Sequence, residues 1–592
     1  MTAPSAATTR RTNRVPPHWN LPPPIDSAAL RELARSLALR TPAARVLWNR
    51  GFRDPASSRD FLSPSLELLH DPMLMSGMPR AVERLSRAIR NREKILIYGD
   101  YDVDGTTSIV ILKKAIELSG GEADYHVPHR LREGYGMRPE VLADAVLRGV
   151  KLVVSVDTGI RAAEVVRAAT ALGLDMIITD HHLPDADVPP AVAVLNPNQP
   201  GCPYPEKNLC GAGVTFKLIQ ALLARLEWPP AKSRRLLESF LKLVAIATVA
   251  DVVPLTGENR LIVKTGLAGL SDVRNTGLRA LLDVAGFESG KPLSASQVAF
   301  RVAPRINAAG RMANAGDVIE MFLTDDAAKA RDLATQLHDL NADRQQTEKD
   351  IVEAILVQCD EFPVRENDFA LVFSKPGWHR GVIGIVASRI VDRFHRPVFI
   401  LGEEDGLAQG SGRSIRAFHL LEALESMPEL FHKFGGHRQA AGLTMAASSV
   451  EEFRQRLNAH ATSVLTPDQL RPVLDIDAEV GIEELNEGSV NETFTLAPFG
   501  FGNPAPVFAL RDVEIAAPPM VIKDVHLRLK VKQGRRFLSV IAWQFAERIS
   551  EFEVGNRVDL AVALEEDEYS ASRGYENWSA KLRDSRPSEK SR

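Results

Sequence analysis

Apolar and polar positions along this chain follow two rhythms. Short, mainly apolar runs stand at 95–98, 151–156, 174–179 and 191–195, and strand signals also lie around 123–127. Between them, apolar residues return every three or four positions, as at 106–119, 138–148, 212–227 and 231–248. The first kind reads as buried strands and the second as helices. Upstream, Asp26 or Ser27 is placed to cap a helix carrying Leu30, Leu33, Ala34 and Leu37, and Val82, Leu85 and Ile89 mark another. Strands alternating with helices predict an α/β domain with a mostly parallel sheet.

Beyond residue 324 the pattern changes. Residues 325–358 form a long polar helical stretch with Leu333, Leu337 and Leu340 on one side, continued by Ile351 and Ile355. At about 1.5 Å per residue it spans roughly 50 Å, the length of a connector between two bodies. A strand at 369–373 opens a section with glycine-rich turns expected at 381–384, 410–412 and 435–436. From about 470 onward, strands and turns replace long helices. Residues 526–532 alternate strictly, placing Arg528, Lys530 and Lys532 on one strand face and Leu527, Leu529 and Val531 on the other.

Composition narrows the class. At about 150 residues per domain, 592 residues make three or four domains. No apolar segment approaches the roughly 20 residues of a membrane helix, so no membrane partner is expected. Met1 to Pro24 is polar and proline-rich without the apolar stretch of a secretory signal. It is expected to be a loose tail with Trp19 pinning its end. Three cysteines argue against a disulfide framework and for a reducing cytoplasm. Cys202 and Cys210 lack zinc-ligand spacing. A net charge of −4 neither announces nor excludes nucleic-acid binding, since a groove can be basic in a neutral protein.

The candidate chemistry lies at strand ends. The run at 95–98 leads into Asp100, Asp102 and Asp104, the run at 151–156 into Asp157, and the run at 174–179 into Asp180, His181 and His182. Asp251 joins from a helix end. In parallel sheets the ligand crevice lies beyond the carboxyl ends of the strands, so these groups meet at one rim. Each motif taken alone is compatible with a helix cap or a turn; their recurrence on successive strands is what points to a site. Oxygen and nitrogen donors without thiolates suit Mn²⁺, with Mg²⁺ or Zn²⁺ as alternatives. Four or five acidic ligands exceed the charge of one divalent ion. Two ions about 3.5–4 Å apart, bridged by a carboxylate, match both the donors and in-line phosphoryl chemistry.

These motifs carry a resemblance. Tyr98-Gly-Asp-Tyr-Asp-Val-Asp-Gly105, Ser155-Val-Asp-Thr-Gly159, Thr179-Asp-His-His182 and Thr248-Val-Ala-Asp-Val-Val253 resemble the four motifs of the DHH phosphoesterase superfamily. The stretches 301–311, 378–389 and 435–442 resemble its RecJ branch of single-strand-specific 5′→3′ exonucleases, and 498–504 the start of that branch's oligonucleotide-binding barrel. The resemblance implies a loose tail (1–24), a DHH catalytic domain with an N-terminal helical part (25–324), a connector helix (325–365), a smaller α/β DHH-associated domain (366–468) and an oligonucleotide-binding β-barrel (469–592). It implies that Asp102 and Asp157 hold one metal ion, and that Asp104, Asp157, His181 and Asp251 hold the other. His182 then lies beside the scissile phosphate, with Asp180 orienting the histidines. Superfamily pyrophosphatases carry a histidine where Tyr98 stands. Tyrosine is a poor replacement, so Asp100 or water completes the first site, which leaves the role of Asp100 open.

For the strand itself, Arg301, Arg305 and Arg311 surround Pro304, Asn307 and Gly310, and arginine forks suit phosphate. Arg305, Asn307 and Arg311 are the candidates there. Ser411 and Arg413, in a small-residue loop, are expected to grip the 5′-phosphate, with Arg130 or Arg132 assisting and His437 near the metals. Arg528, Lys530 and Lys532 make a basic strand face, and Phe537 and Trp543 either stack bases or fill the barrel. The implied function is DNA repair and recombination, with a helicase and single-strand-binding protein as partners and a monomeric enzyme. A phosphoesterase for small substrates, which has no use for the barrel, and a scaffold without catalysis are the alternatives.

Overall fold

A computed structural model describes residues 16–130, 134, 136–567 and 576–588. The chain divides into two compact units: one holds Ser63–Gln345 with Ala497–Pro504, and the other holds the remaining described segments.

The first unit is built on a five-stranded sheet, all parallel, in the order Glu122–His126, Lys94–Tyr98, Val150–Val156, Asp175–Thr179, Ala193–Leu195. Alternation along the strands separates two apolar layers. Ile95, Ile97, Leu152, Val154, Val156 and Ile177 pack with the helices Met78–Arg90, Val103–Leu118, Gly211–Arg225 and Pro230–Ala250. Leu96, Tyr98, Val153, Met176 and Ile178 point the other way, toward Pro139–Leu147 and Ala163–Ala171. The elements read from periodicity are all present, with ends shifted by a few residues. The order reverses between Lys94–Tyr98 and Val150–Val156, and such a switch point is where open α/β sheets place their ligands.

The helix Ala327–Glu361 runs 35 residues. Its buried positions are Ala330, Ala334, Leu337, Asn341, Arg344, Glu348, Ile351 and Ile355, a stripe spaced alternately by four and three. The middle of the stripe is polar, and it is buried because its polar groups are paired. Arg344 bonds Asn341 Oδ1 at 3.1 Å, and Glu348 Oε1 accepts from Arg389 at 3.0 Å.

In the second unit, one five-stranded sheet runs Phe431–Gly436, Ala440–Ala446, Leu407–Arg413, Val398–Glu404, Leu371–Pro376. Here the expected glycine turns at 410–412 and 435–436 are strands. The side chains of Leu401 and Phe399 cross over Gly410 and Gly412, where an added Cβ would meet each at 2.5 Å. The glycines serve close packing of a sheet rather than a turn. The second sheet closes as a barrel, with Val507–Ile522 pairing both His526–Gln533 and Arg557–Glu566. On His526–Gln533, Leu527, Leu529 and Val531 are buried while Arg528 and Lys530 are exposed, as the alternation predicts.

Two expected boundaries shift. The helices Ser27–Leu37, Thr41–Asn49 and Pro55–Leu62 belong to the second unit, not to the catalytic domain. Arg50 pairs with Asp477 at 2.8 Å, Asn49 Nδ2 donates to Asp477 O at 2.6 Å, and Arg40 pairs with Glu492. The stretch 16–24 is not uniformly loose either: His18–Asn20 pairs parallel with Val473–Asp475. Trp19 is buried there, donating to Asp584 Oδ2 at 2.8 Å beneath the Arg586 guanidinium. Among the described residues no helix is long and apolar enough to cross a membrane.

Trp19→Ala removes a buried indole and its hydrogen bond, and is expected to destabilise the second unit by about 3 kcal/mol. Urea unfolding followed by circular dichroism measures this; a loss under about 1 kcal/mol would show the strand to be peripheral.

Candidate metal centre

Three adjacent strands deliver the site. Lys94–Tyr98, Val150–Val156 and Asp175–Thr179 are neighbours in the sheet, with Tyr98 opposite Ser155 and Val156 opposite Thr179. All run in one direction, so the residues that follow them emerge along one rim. After the first, Asp102 caps the helix Val103–Leu118, its Oδ1 accepting from Gly105 N at 3.0 Å. Asp104 lies in that helix's first turn and accepts from Gly211 N at 2.6 Å and Ala212 N at 2.7 Å. Those amides open the helix Gly211–Arg225, whose N-terminus favours a negative charge. Asp157 follows the second strand with φ of 58°, and Gly159 turns the chain at φ of 114°. Asp251 ends the helix Pro230–Ala250.

The candidate ligands converge. His181 Nε2 stands 3.2 Å from Asp157 Oδ1, 3.7 Å from Asp251 Oδ2 and 3.8 Å from Asp104 Oδ2. Three overlapping groups have donor atoms within 4.8 Å of one another: Asp100, Asp102 and Asp157; Asp104, His181 and Asp251; and Asp157, His181 and His182. Asp157 therefore belongs to two groups, and Asp100 stands with Asp102 and Asp157. Tyr98 turns to the opposite face of the sheet, where its hydroxyl accepts from Arg138 N at 3.2 Å and lies 3.3 Å from Gly136 O.

Electrostatics shows what this arrangement lacks. Burial, and then the charge of Asp102, pushes the Asp100 carboxyl up to about 8. Burial, followed by Asp104 and Asp102, pushes Asp251 up to about 9. Asp102 and Asp157 rise for the same reasons, Asp157 well above the usual carboxylate range. Burial lowers the His181 imidazole, which favours the neutral form that ligates metal. Asp157 Oδ1 and Asp251 Oδ2 are buried and accept no hydrogen bond. Buried oxygens of this kind are normally paired, and a divalent cation supplies both the missing partner and the missing positive charge. The residues present fit such ions.

His182 and Asp180 form a separate pair. Asp180 Oδ1 accepts from His182 Nδ1 at 2.7 Å and from the backbone of His181 and His182, while its Oδ2 accepts from Ile160 N. Burial opposes the His182 cation, but the Asp180 bond and charge raise its pKa above the ordinary imidazole value. For Asp180 the same bonds outweigh burial and hold the carboxyl below its usual range.

Several contributors were not legible beforehand. Gly211 approaches so closely that a Cβ there would lie 2.6 Å from Asp157 Cβ. Asn198 Nδ2 donates to His181 O at 2.8 Å and Asn196 Nδ2 to His182 O at 2.9 Å. The readable signals were a Gly-Ala-Gly before an apolar helix and an Asn-Pro-Asn after the fifth strand.

The candidate DNA contacts divide. Asn307 Oδ1 accepts from Val103 N at 3.2 Å, so its carbonyl is committed to the acidic loop. Gly310, one turn on, would place a Cβ 2.5 Å from Tyr101 O, which brings the Arg311 helix against that loop. Arg305 Nη2 lies 3.1 Å from His338 Nδ1, while Arg301 stacks 4.0 Å over Phe287 and bonds Ala285 O. The arginine stretch is helical, with a π-helical turn at Val298–Val302. Arg130 lies over the Tyr101 ring at 5.1 Å; Arg132 falls outside the described residues.

Ser411 and Arg413 lie in the second unit, on the strand Leu407–Arg413 instead of the expected loop. Arg413 Nη1 bonds Ser411 Oγ at 3.1 Å, and a Cβ on Gly384 would lie 3.0 Å from that hydroxyl. The two side chains thus lie together beside the start of the helix Ile383–Phe394. His437 follows the strand Phe431–Gly436 in the same sheet. In the barrel, Lys530 Nζ lies 5.1 Å from the exposed Phe537 ring, Trp543 is likewise exposed, and Lys532 is paired with Glu514 at 2.9 Å.

Comparison with known proteins agrees with this architecture. Residues 94–248 match the DHH family N-terminal domain, 367–463 the DHHA1 domain and 476–584 the RecJ OB domain. The single-stranded-DNA-specific exonuclease RecJ of Bacillus subtilis is 36% identical over 562 residues, covering 93% of this chain and 69% of that protein. The chain belongs to the RecJ family. The crystal structure of RecJ from Thermus thermophilus in complex with Mn²⁺ is similar with a TM-score of 0.82 at 33% identity, over 96% of this chain and 80% of that one. The RecJ structure from the same organism with Mg²⁺ gives 0.76 at 31%, over 96% and 78%. Those relatives were crystallised with Mn²⁺ and Mg²⁺, and the acidic cluster of this chain offers donors that could hold such ions.

The raised carboxyl values set a pH dependence. In the metal-free fold these carboxyls keep protons that the unfolded chain releases near pH 4. The folded state then binds more protons, so stability falls as pH rises toward about 8 for Asp100 and about 9 for Asp251. Metal-free protein is expected to melt at progressively lower temperature from pH 6 to 9, with Mn²⁺ reversing the loss. Scanning calorimetry checks this, and a metal-free melting temperature that is flat or rising would contradict it.

Proposed function

We propose that this chain is a two-ion, metal-dependent exonuclease that hydrolyses single-stranded DNA from the 5′ end and releases 5′ mononucleotides. The observation that carries the reading is the pair of buried oxygens without hydrogen bonds, Asp157 Oδ1 and Asp251 Oδ2, set on the rim where three parallel strands end. Asp100, Asp102 and Asp157 would hold one ion, and Asp104, Asp157, His181 and Asp251 would hold the other, Asp157 being common to both sets. When bound, the ions act as Lewis acids on the phosphate and lower the pKa of the attacking water. Asp104, fixed by two amides, and Asp157, wedged against Gly211, hold their oxygens in place before substrate arrives. His182, with Nδ1 bonded to Asp180, directs Nε2 to the scissile phosphate and carries a proton there in its cationic form.

Ser411, Arg413 and His437 bind the phosphates of the 5′ end, and Arg305 and Arg311 assist. Arg528, Lys530 and Lys532 bind the strand on the barrel face, with Lys532 contributing least because Glu514 already neutralises it. The barrel favours a polymer over a small phosphate ester as substrate. The enzyme works as a cytoplasmic monomer in DNA repair and recombination, supplied by a helicase and assisted by single-strand-binding protein.

Digestion of 5′- or 3′-labelled single strands with Mn²⁺, Mg²⁺ or chelator tests the reading. The 5′ label is expected to appear first as mononucleotide, and chelator to abolish release. Asp157→Ala is expected to lose about three orders of magnitude in kcat, roughly 4 kcal/mol of transition-state stabilisation. Near-normal turnover by this variant would refute the two-ion centre.

A further inference from the structure

The segment Ala497–Pro504 opens the expected barrel in sequence, yet it packs within the unit that carries the metal centre. The turn is closed on itself. Gly500 N donates to Asn503 O at 2.9 Å, Asn503 N returns to Gly500 O at 3.2 Å, and Asn503 Nδ2 donates to Pro498 O at 2.8 Å. It is also pinned from outside. Leu255 N donates to Phe501 O at 2.7 Å, and Arg260 Nη2 donates to Ala497 O at 2.9 Å. The two glycines permit this approach: a Cβ on Gly500 would lie 2.7 Å from Leu255 Cδ1, and one on Gly502, at φ of 74°, would lie 2.9 Å from Pro254 Cβ.

None of these anchors uses the Phe501 ring, which is 61% exposed. A large aromatic held on a rigid turn and left in water does little for packing. Its position gives it a use. Leu255 follows Asp251 by four residues, a span of at most about 14 Å even if fully extended. Two further apolar side chains stand exposed beside the ligands: Val252, directly after Asp251, at 62%, and Leu183, directly after His182, at 61%. Val252 is held at φ of 59°, a costly conformation for a β-branched residue.

We infer that Phe501 is a stacking platform for a nucleobase of the single strand lying in the metal centre. The inference rests on the exonuclease reading above and deepens it: metal ligands and arginines engage phosphates, whereas Phe501 engages a base. Stacking on an aromatic tolerates every base, as an enzyme without sequence preference requires. Because the turn is fixed to the loop that follows Asp251, a stacked base sets the register of the strand relative to that ligand.

The test uses 5′-phosphorylated single strands in Mn²⁺, with one abasic nucleotide scanned through the first six positions. The wild-type enzyme is expected to lose about ten-fold or more in kcat/KM when the abasic nucleotide occupies one particular position, the range typical of base–aromatic stacking. Phe501→Ala is expected to show that loss on fully based strands and no further loss on the abasic strand, while Phe501→Trp keeps the wild-type profile. A Phe501→Ala enzyme with wild-type kcat/KM, or with an undiminished response to the abasic position, would overturn the platform while leaving the exonuclease reading intact. A wild-type enzyme inert on every strand would overturn both.

Discussion

The structure of the catalytic unit turns on the mutual repulsion of five carboxylates in a site largely closed to water. Asp100, Asp104 and Asp157 are buried, and Asp102 and Asp251 complete the group. Burying like charges together costs several kcal/mol unless opposite charge or hydrogen bonds offset it. The protein offsets part of that cost with backbone amides: Tyr101 N on Asp100, Gly105 N on Asp102, and Gly211 N and Ala212 N on Asp104. Asp157 Oδ1 and Asp251 Oδ2 receive none. Without cations the remainder is met by retained protons, which is why burial and neighbouring charge drive these carboxyls upward. With divalent ions the same geometry becomes favourable, and folding and metal affinity are one linked equilibrium.

The surrounding architecture serves this constraint. A parallel sheet brings three strand ends to one rim, and the reversal of strand order opens space there for side chains from separate crossovers. The amide groups that begin Gly211–Arg225 are spent on Asp104 and not on the helix's own caps. Asp157 and Val252 keep left-handed backbone angles that a well-packed scaffold must enforce. Asn196 and Asn198 hold the His181 and His182 backbone from the next strand. Each of these devices fixes a candidate donor side chain, or the backbone beside it, in advance, the pre-set geometry on which phosphoryl chemistry draws.

Much of this was legible in the chain. Runs ending on Asp100 to Asp104, Asp157 and Asp180 to His182 disclosed both the parallel sheet and the rim, because strand period and polarity speak directly. Other features were hidden for stated physical reasons. Gly410 and Gly412 read as a turn, since a glycine that admits a facing Phe399 or Leu401 side chain looks the same in sequence as one that bends the chain. The burial of the polar residues Asn341, Arg344 and Glu348 could not be read from the helical pattern, because pairing that permits burial depends on partners such as Arg389, distant in sequence. The N-terminal helices fell into the wrong domain for the same reason: Arg50 and Asn49 answer to Asp477, over 400 residues away. Asn307 was read through its arginine neighbours as a phosphate ligand; that its carbonyl also accepts from Val103 N of the acidic loop depends on a contact about 200 residues away in sequence.

The central claim is that Asp157 joins two metal ions. Diffraction from crystals grown with Mn²⁺, recorded at the manganese absorption edge, tests it most directly. The account predicts two anomalous peaks about 3.5–4 Å apart, one beside Asp100 and Asp102, the other among Asp104, His181 and Asp251, with an Asp157 oxygen reaching each. A single peak, or two peaks with Asp157 bound to only one, would contradict it.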